Sequence, residues 1–239
     1  MDQGTDTNAA IWKSAETIRD REQKSAERTR KNAPQWRLMG ELLPFDANEA
    51  FTFLDLGAGT GPATRELLDL YPRSHAILTD FSAPMMAIGE TALAPFAGRF
   101  EYLEFDMSTN SWPAAIPTSV DVVVTSMCVH HLPDLRKRAL FAEIFDHLVP
   151  GGWYLNYDSV SPAGPVVRDA WDRVSDLDPE SVRRRLHGTT QERARRANHV
   201  RYLSPLPRQL DYLNVAGFEG VDVYWKRLDD VIYGGRRPA

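Results

Sequence analysis

Between Phe51 and Asp158 the sequence alternates short apolar runs, each ending near a glycine or an aspartate, with stretches of helical character. The runs are FTFLDLGAG (51–59), HAILTDF (75–81), FEYLEFD (100–106), VDVVVTSM (120–127) and GGWYLNYD (151–158). A strand covered on both faces reads as a nearly continuous apolar run, and a parallel return requires a crossover helix. The rhythm therefore predicts an α/β fold built on a doubly wound, mostly parallel sheet. The intervening helices carry matching signals. Pro62–Leu70 has proline in its first turn, and Leu135–Leu148 sets Leu140, Ile144, Phe145 and Leu148 on one stripe.

The flanks read differently. Residues 1–50 predict an N-terminal helical cap, with two or three helices over Ile11–Leu43 broken near Pro34 and anchored by Trp12, Ile18, Trp36 and Met39. Residues 51–158 form the binding core, and residues 159–204 a helical insertion after the fifth strand. In that insertion Val166, Val167, Ala170, Trp171, Val174 and Leu177 are spaced to cover one helix face, which makes it a candidate lid. Residues 205–239 predict a helix (Pro207–Ala216) and a closing antiparallel hairpin (Val221–Trp225 with Asp230–Gly234), for seven strands in all. At 239 residues a single main core is expected.

Composition narrows the function classes. Hydrophobic residues at 43% suffice for a sizeable core, and a net charge of −5 argues against a nucleic-acid partner, whose affinity comes from Lys and Arg neutralising phosphates. The arginines of the insertion (183–185, 193, 195, 196 and 201) are interleaved with Asp176, Asp178, Glu180 and Glu192, as on a solvated, ion-paired helix surface. Cys128 is the only cysteine, so no internal disulfide can form. With no apolar run of about 18 residues and no secretory pattern at the start, the expectation is a cytoplasmic protein with no membrane partner. Oligomeric state stays open, a homodimer included.

The sharpest local signal is LDLGAGTG, Leu54–Gly61, at the end of the first strand and just before a helix. Glycines at 57, 59 and 61 allow a tight turn and close approach of a ligand to the backbone. A diphosphate would want a free helix N-terminus, whereas here Pro62 opens the helix and Asp55 adds an anion beside the turn. A cation with an amino acid end fits better. In this acidic residue followed by G-x-G-x-G, the sequence resembles the class I S-adenosylmethionine-dependent methyltransferases, over Phe51 to about Tyr157 and again at the closing hairpin.

The resemblance implies a Rossmann-like sheet and S-adenosylmethionine as cofactor. It places Asp55, Gly57, Ala58, Gly59 and Ser126 around the cofactor, Asp80 on the ribose hydroxyls, Phe81 and Met85 or Met86 on the adenine, and Asp106 with Met107 at the adenine amino group. LVPGGW, Leu148–Trp153, matches the family's turn into the fifth strand. The implied activity is methyl transfer to an O, N or C atom of a small-molecule acceptor. An in-line displacement from a sulfonium needs alignment above all, with a base optional. His130 and His131 in SMCVHHLPD, and Tyr157 and Asp158 in NYDSV, fall at the strand ends beside the same cleft. One histidine is the candidate base with Asp158 orienting it; the competing expectation is a histidine packed on the cofactor. Tyr157 and Trp171 are candidate acceptor contacts. No metal is expected, because adjacent histidines on a turn diverge and no third ligand stands at zinc-like spacing. Two other readings share these residues: a transferase similar to carboxy-S-adenosylmethionine synthase, and a non-catalytic S-adenosylmethionine-binding protein.

Overall fold

The computed structural model describes residues 25–239. Its strands are β1 (Thr52–Leu56), β2 (His75–Asp80), β3 (Phe100–Glu104), β4 (Val120–Ser126), β5 (Leu148–Ser159), β6 (Glu219–Arg227) and β7 (Asp230–Arg236). They form one seven-stranded sheet in the order β3-β2-β1-β4-β5-β7-β6. The first five pair in parallel, and β7 lies antiparallel between β5 and β6. The strand order switches between β1 and β4, and open sheets of this class leave a crevice above the carboxyl ends at such a point.

The helices are α1 (Ser25–Glu41), α2 (Pro62–Leu70), α3 (Ala83–Ala92), α4 (Asp134–His147), α5 (Pro165–Ser175), α6 (Pro179–His187), α7 (Thr190–Val200) and α8 (Leu206–Ala216). They cover both faces of the sheet, which is why the central strands lack polar alternation. Leu54 and Leu56 of β1 enter one core with Leu140, Phe141 and Ile144 of α4 and Leu213 of α8. Phe53, on the opposite face of the same strand, enters a second core with Trp36 and Met39 of α1 and Leu67 and Leu68 of α2. At the closing hairpin both strands run longer than the sequence suggests, because β7 gains a full partner in β5, from Trp153↔Arg236 to Ser159↔Asp230. Gly234 belongs there for steric reasons: a Cβ at that position would lie 2.0 Å from the Tyr154 carbonyl oxygen.

Two expectations need correction. The helix expected to break near Pro34 runs through it, with Pro34 inside α1. Proline costs that turn one hydrogen bond, but the next turn buries Trp36 and Met39 (4% and 0% exposed), and this packing carries the helix across the defect. The anchors Trp12 and Ile18 lie outside the described residues. The second correction concerns α5, which buries none of its residues; Val166 on it and Leu177 just beyond are each 81% exposed. Its apolar face does not cover the strand ends. Only Trp171 finds a partial seat, half-buried against the first core with the Lys226 ammonium 4.5 Å from its ring centroid.

Phe141 tests the first core: it is 0% exposed, with its ring centroid 5.6 Å from that of Tyr154. Phe141→Ala is expected to cost about 3–5 kcal/mol through lost burial and a residual cavity. The check is a lower midpoint in urea unfolding with the slope unchanged.

Candidate active site

The turn after β1 is forced by its glycines. Gly57 has φ 70°, and a Cβ there would lie 2.6 Å from Met107 Cε and 3.0 Å from Cys128 Sγ. Gly59 has φ 58°, and the only heavy atom near its absent Cβ is Asp80 Oδ2 at 4.0 Å, so the backbone is open on that side. Its N–H donates to Asp80 Oδ2 at 2.9 Å, while Asp80 Oδ1 accepts from the Ser82 N–H at 2.8 Å. These bonds fix the end of β2 against the turn after β1.

A cavity of about 460 Å³ opens above these strand ends. Asp55, Gly57, Ala58, Gly59, Asp80, Phe81, Met85, Asp106, Met107 and Ser126 all line it, as do His130, His131 and Tyr157. The structure thus gathers the sequence-derived candidates of β1, β2, β3 and β4 around one space. Met86 does not line the cavity, and neither does Trp171, whose helix sits away from it.

Asp55 is the least comfortable of these groups. It is 0% exposed; Oδ2 accepts from Thr64 Oγ1 at 2.7 Å, and Oδ1 has no hydrogen-bond partner. Burial pushes its carboxyl up to about 7 against the opposing pull of the Thr64 hydroxyl, with the nearby Asp80 carboxylate adding to the rise. The lone Cys128 is held away from reaction: burial raises its thiol well above the ordinary value, and Sγ donates to the Leu56 carbonyl at 3.2 Å.

At the other end of the cavity the chain between β4 and α4 makes a single 3-10 turn, Val129–His131. It is reached through Met127, whose φ of 54° is accompanied by a 2.7 Å bond from its N–H to the Tyr157 carbonyl. The turn puts His130 directly on Asp158 of β5. His130 Nδ1 lies 2.5 Å from Asp158 Oδ1, and the His130 backbone N–H donates to Oδ2 at 2.8 Å. Both side chains are almost fully buried, at 2% and 1% exposed. In the neutral ring with its proton on Nδ1 toward the carboxylate, Nε2 is the acceptor nitrogen; it is buried without a hydrogen-bond partner. His131 lies on the same turn, its ring centroid 4.0 Å from that of His130.

Several lining residues carry no sequence signal. α1 contributes Lys31, Asn32 and Trp36, and the Trp36 indole N–H donates to Ser126 Oγ at 2.7 Å. Asn32 Oδ1 accepts from the Tyr157 hydroxyl at 3.4 Å. α7 supplies Asn198 and His199, so the insertion reaches the cavity with its last helix and not with α5. The His199 ring stands edge-on to His130 at 4.5 Å between centroids. Burial, reinforced by His130, pulls His199 down to about 4, so it is a neutral ring near neutrality. Asp230, at the start of β7, completes the wall. Among the described residues no group of three or more His, Cys, Asp or Glu side chains is arranged to hold a metal ion.

Residues 53–152 match the family described as "Methyltransferase domain". The chain is 29% identical over 136 residues to acetylserotonin O-methyltransferase of Gallus gallus, covering 55% of this chain and 38% of that one. It is 32% identical over 110 residues to trans-aconitate 2-methyltransferase of Azoarcus sp. (strain BH72), covering 46% and 39%. The chain thus spans less than two fifths of either relative in these matches. A solved structure of PigF with SAH superposes with a TM-score of 0.67 at 15% identity, over 99% of this chain and 63% of that one, which is a likeness of fold.

Asp55 gives a pH-dependent test that needs no ligand. Its folded value of about 7 lies above its ordinary 3.8, so the ligand-free protein holds a proton there that the unfolded chain releases. Its contribution to stability therefore falls as pH rises from about 4 to 7 and stays low above that. Asp55→Asn is expected to be flat across the window and more stable than wild type at pH 8, by up to about 4 kcal/mol. Urea midpoints of both proteins at pH 5 and pH 8 check the sign.

Proposed function

We propose that this chain, whose residues 53–152 match a methyltransferase domain, is a class I S-adenosylmethionine-dependent methyltransferase that methylates a hydroxyl oxygen of a small molecule with His130 as the base. The observation that carries the choice of atom is the buried His130–Asp158 pair, with its 2.5 Å contact and its unpartnered Nε2.

The cofactor end fits S-adenosylmethionine. The orphaned, buried Asp55 Oδ1 asks for a cationic donor, which the ammonium of an amino acid end supplies. Asp80, on the rim beside the open backbone of Gly59, suits a ribose diol, and Phe81, Met85 and Met107 supply the apolar walls an adenine ring requires. When bound, the cofactor supplies an activated methyl group on a sulfonium. The protein's own work is to exclude water, align the acceptor oxygen and take its proton.

Asp158 accepts the His130 Nδ1–H and holds the ring so that Nε2 is free to receive the acceptor's proton; the imidazolium then faces the same carboxylate. Nε2 is covered by protein in this arrangement, and the rings of His131 and His199 both pack on the His130 ring. Acceptor entry therefore displaces the end of α7, which gives the insertion the role of a lid through His199. Trp171, packed elsewhere, has no place in this reading. A carboxylated cofactor would call for guanidinium groups, and among the described lining residues the only cation of fixed charge is Lys31, which favours the ordinary methyl donor.

Two measurements test the proposal. Asp80→Ala removes a pair of charge-assisted bonds and is expected to weaken S-adenosylhomocysteine binding at least about tenfold by calorimetry. His130→Gln is expected to lower methyl transfer to a hydroxyl acceptor by about 10²–10⁴-fold while cofactor affinity stays near wild type. Full turnover in His130→Gln sinks the base assignment.

A further inference from the structure

Asp230 is not used by the mechanism above. It opens β7 opposite Ser159 of β5, one residue beyond Asp158, and lines the cavity. It is half-buried, and among the described residues the one hydrogen bond to its carboxylate is a long one, 3.4 Å from the Ser159 hydroxyl. No ion pair engages it among the described residues. Burial and the neighbouring Asp229 raise its carboxyl above the ordinary range, against the opposing pull of Lys31 and the Ser159 hydroxyl. A half-buried carboxylate with so little compensation asks for a donor from whatever enters the space.

The chemistry around it narrows that donor. The cavity it lines also holds His130 and the edge-on His199, which is neutral near neutrality, together with Tyr157, whose ionisation is pushed up by burial and next by the Asp230 carboxylate. Lys31, the one fixed cation among the described residues of this wall, is exposed, so water satisfies it and an acceptor anion gains little there. The more buried carboxylate loses more by staying unpaired and therefore sets the preference. An independent mark of ligand occupancy in the same cavity is the nearly fully buried His130, whose Nε2 has no partner.

We infer that Asp230 is a specificity-determining residue that selects acceptors bearing a protonated amine, with the methylated hydroxyl at His130 and the ammonium at Asp230. The inference rests on the hydroxyl reading above and adds the class of acceptor. A charge-assisted bond of this kind corresponds to about tenfold or more in specificity.

Three phenols matched in ring and chain length provide the probes: tyramine, 4-ethylphenol and 3-(4-hydroxyphenyl)propionate. Formation of S-adenosylhomocysteine from each is followed with wild type, Asp230→Asn and Asp230→Lys, and unchanged cofactor affinity establishes that each variant is folded. Wild type is expected to favour tyramine over the propionate by at least about tenfold in kcat/KM, Asp230→Asn to abolish that ratio and Asp230→Lys to reverse it. A wild-type preference for the propionate, or the same ratio in Asp230→Asn, overturns the inference. Should no phenol turn over, calorimetry of the three probes on the S-adenosylhomocysteine complex separates the two readings. A tyramine preference lost in Asp230→Asn then upholds Asp230 and overturns the hydroxyl reading, whereas the absence of any binding preference overturns Asp230.

Discussion

A carboxylate taken out of water must recover from the protein the hydrogen bonds it leaves behind, and the arrangement of this cavity follows from how Asp158 does so. Its oxygens accept from the His130 ring, the His130 backbone and the Ser159 N–H at 2.5, 2.8 and 2.9 Å. Two of those donors belong to the turn after β4 and one to β5 itself, so satisfying the carboxylate fixes the two strand ends against each other. The turn cannot drift without leaving a buried charge short of partners. His130 is thereby locked in one orientation, and the ring that packs on it, His199, sets where α7 can rest.

The opposite end of the cavity uses the reverse arrangement. Asp55 keeps one oxygen without a partner, and the protein tolerates a buried acid whose ionisation is displaced to about 7. Stability is given up there in the ligand-free state and recovered when a cation binds, a trade seen wherever a site is built for a charged ligand and not for the empty fold. The carboxylate at one end of the crevice is thus satisfied by the protein itself, and the one at the other waits for its partner.

The sheet was legible because its code is local. Each β1–β5 strand announces itself by an apolar run, each crossover by its length, and the glycine turn by spacing that only φ > 0 explains. That Asp55, Asp80 and Asp106 border one cavity, and that His130 meets Asp158, could be read for the same reason: they sit at or just past strand ends, and the topology decides where strand ends meet. What failed depended on packing across distance. Pro34 reads as a helix break until Trp36 and Met39 are seen to be buried beyond it, and the α5 stripe reads as a buried face although α7 is the helix that reaches the site. Asn32, His199 and Asp230 come from three segments far apart in sequence, and nothing within any one of them points to the others.

The position of β7 has a consequence for how the chain is made. β7 enters the sheet between β5 and β6, so a chain emerging from the ribosome completes β5 well before β7 exists to cover it. During that interval the backbone edge of β5 from Trp153 to Ser159 lacks its eventual partner, and the same strand carries the rings Tyr154 and Tyr157, buried in the finished fold. An exposed edge of that length is a template for pairing with another nascent chain. The half that holds the glycine turn can close early, while the wall that carries Asp230 forms only after β6 and β7 fold back. Slow translation through residues 160–218 would lengthen the time the β5 edge spends open, which ties yield to codon usage in a stretch remote from any residue of the cofactor site.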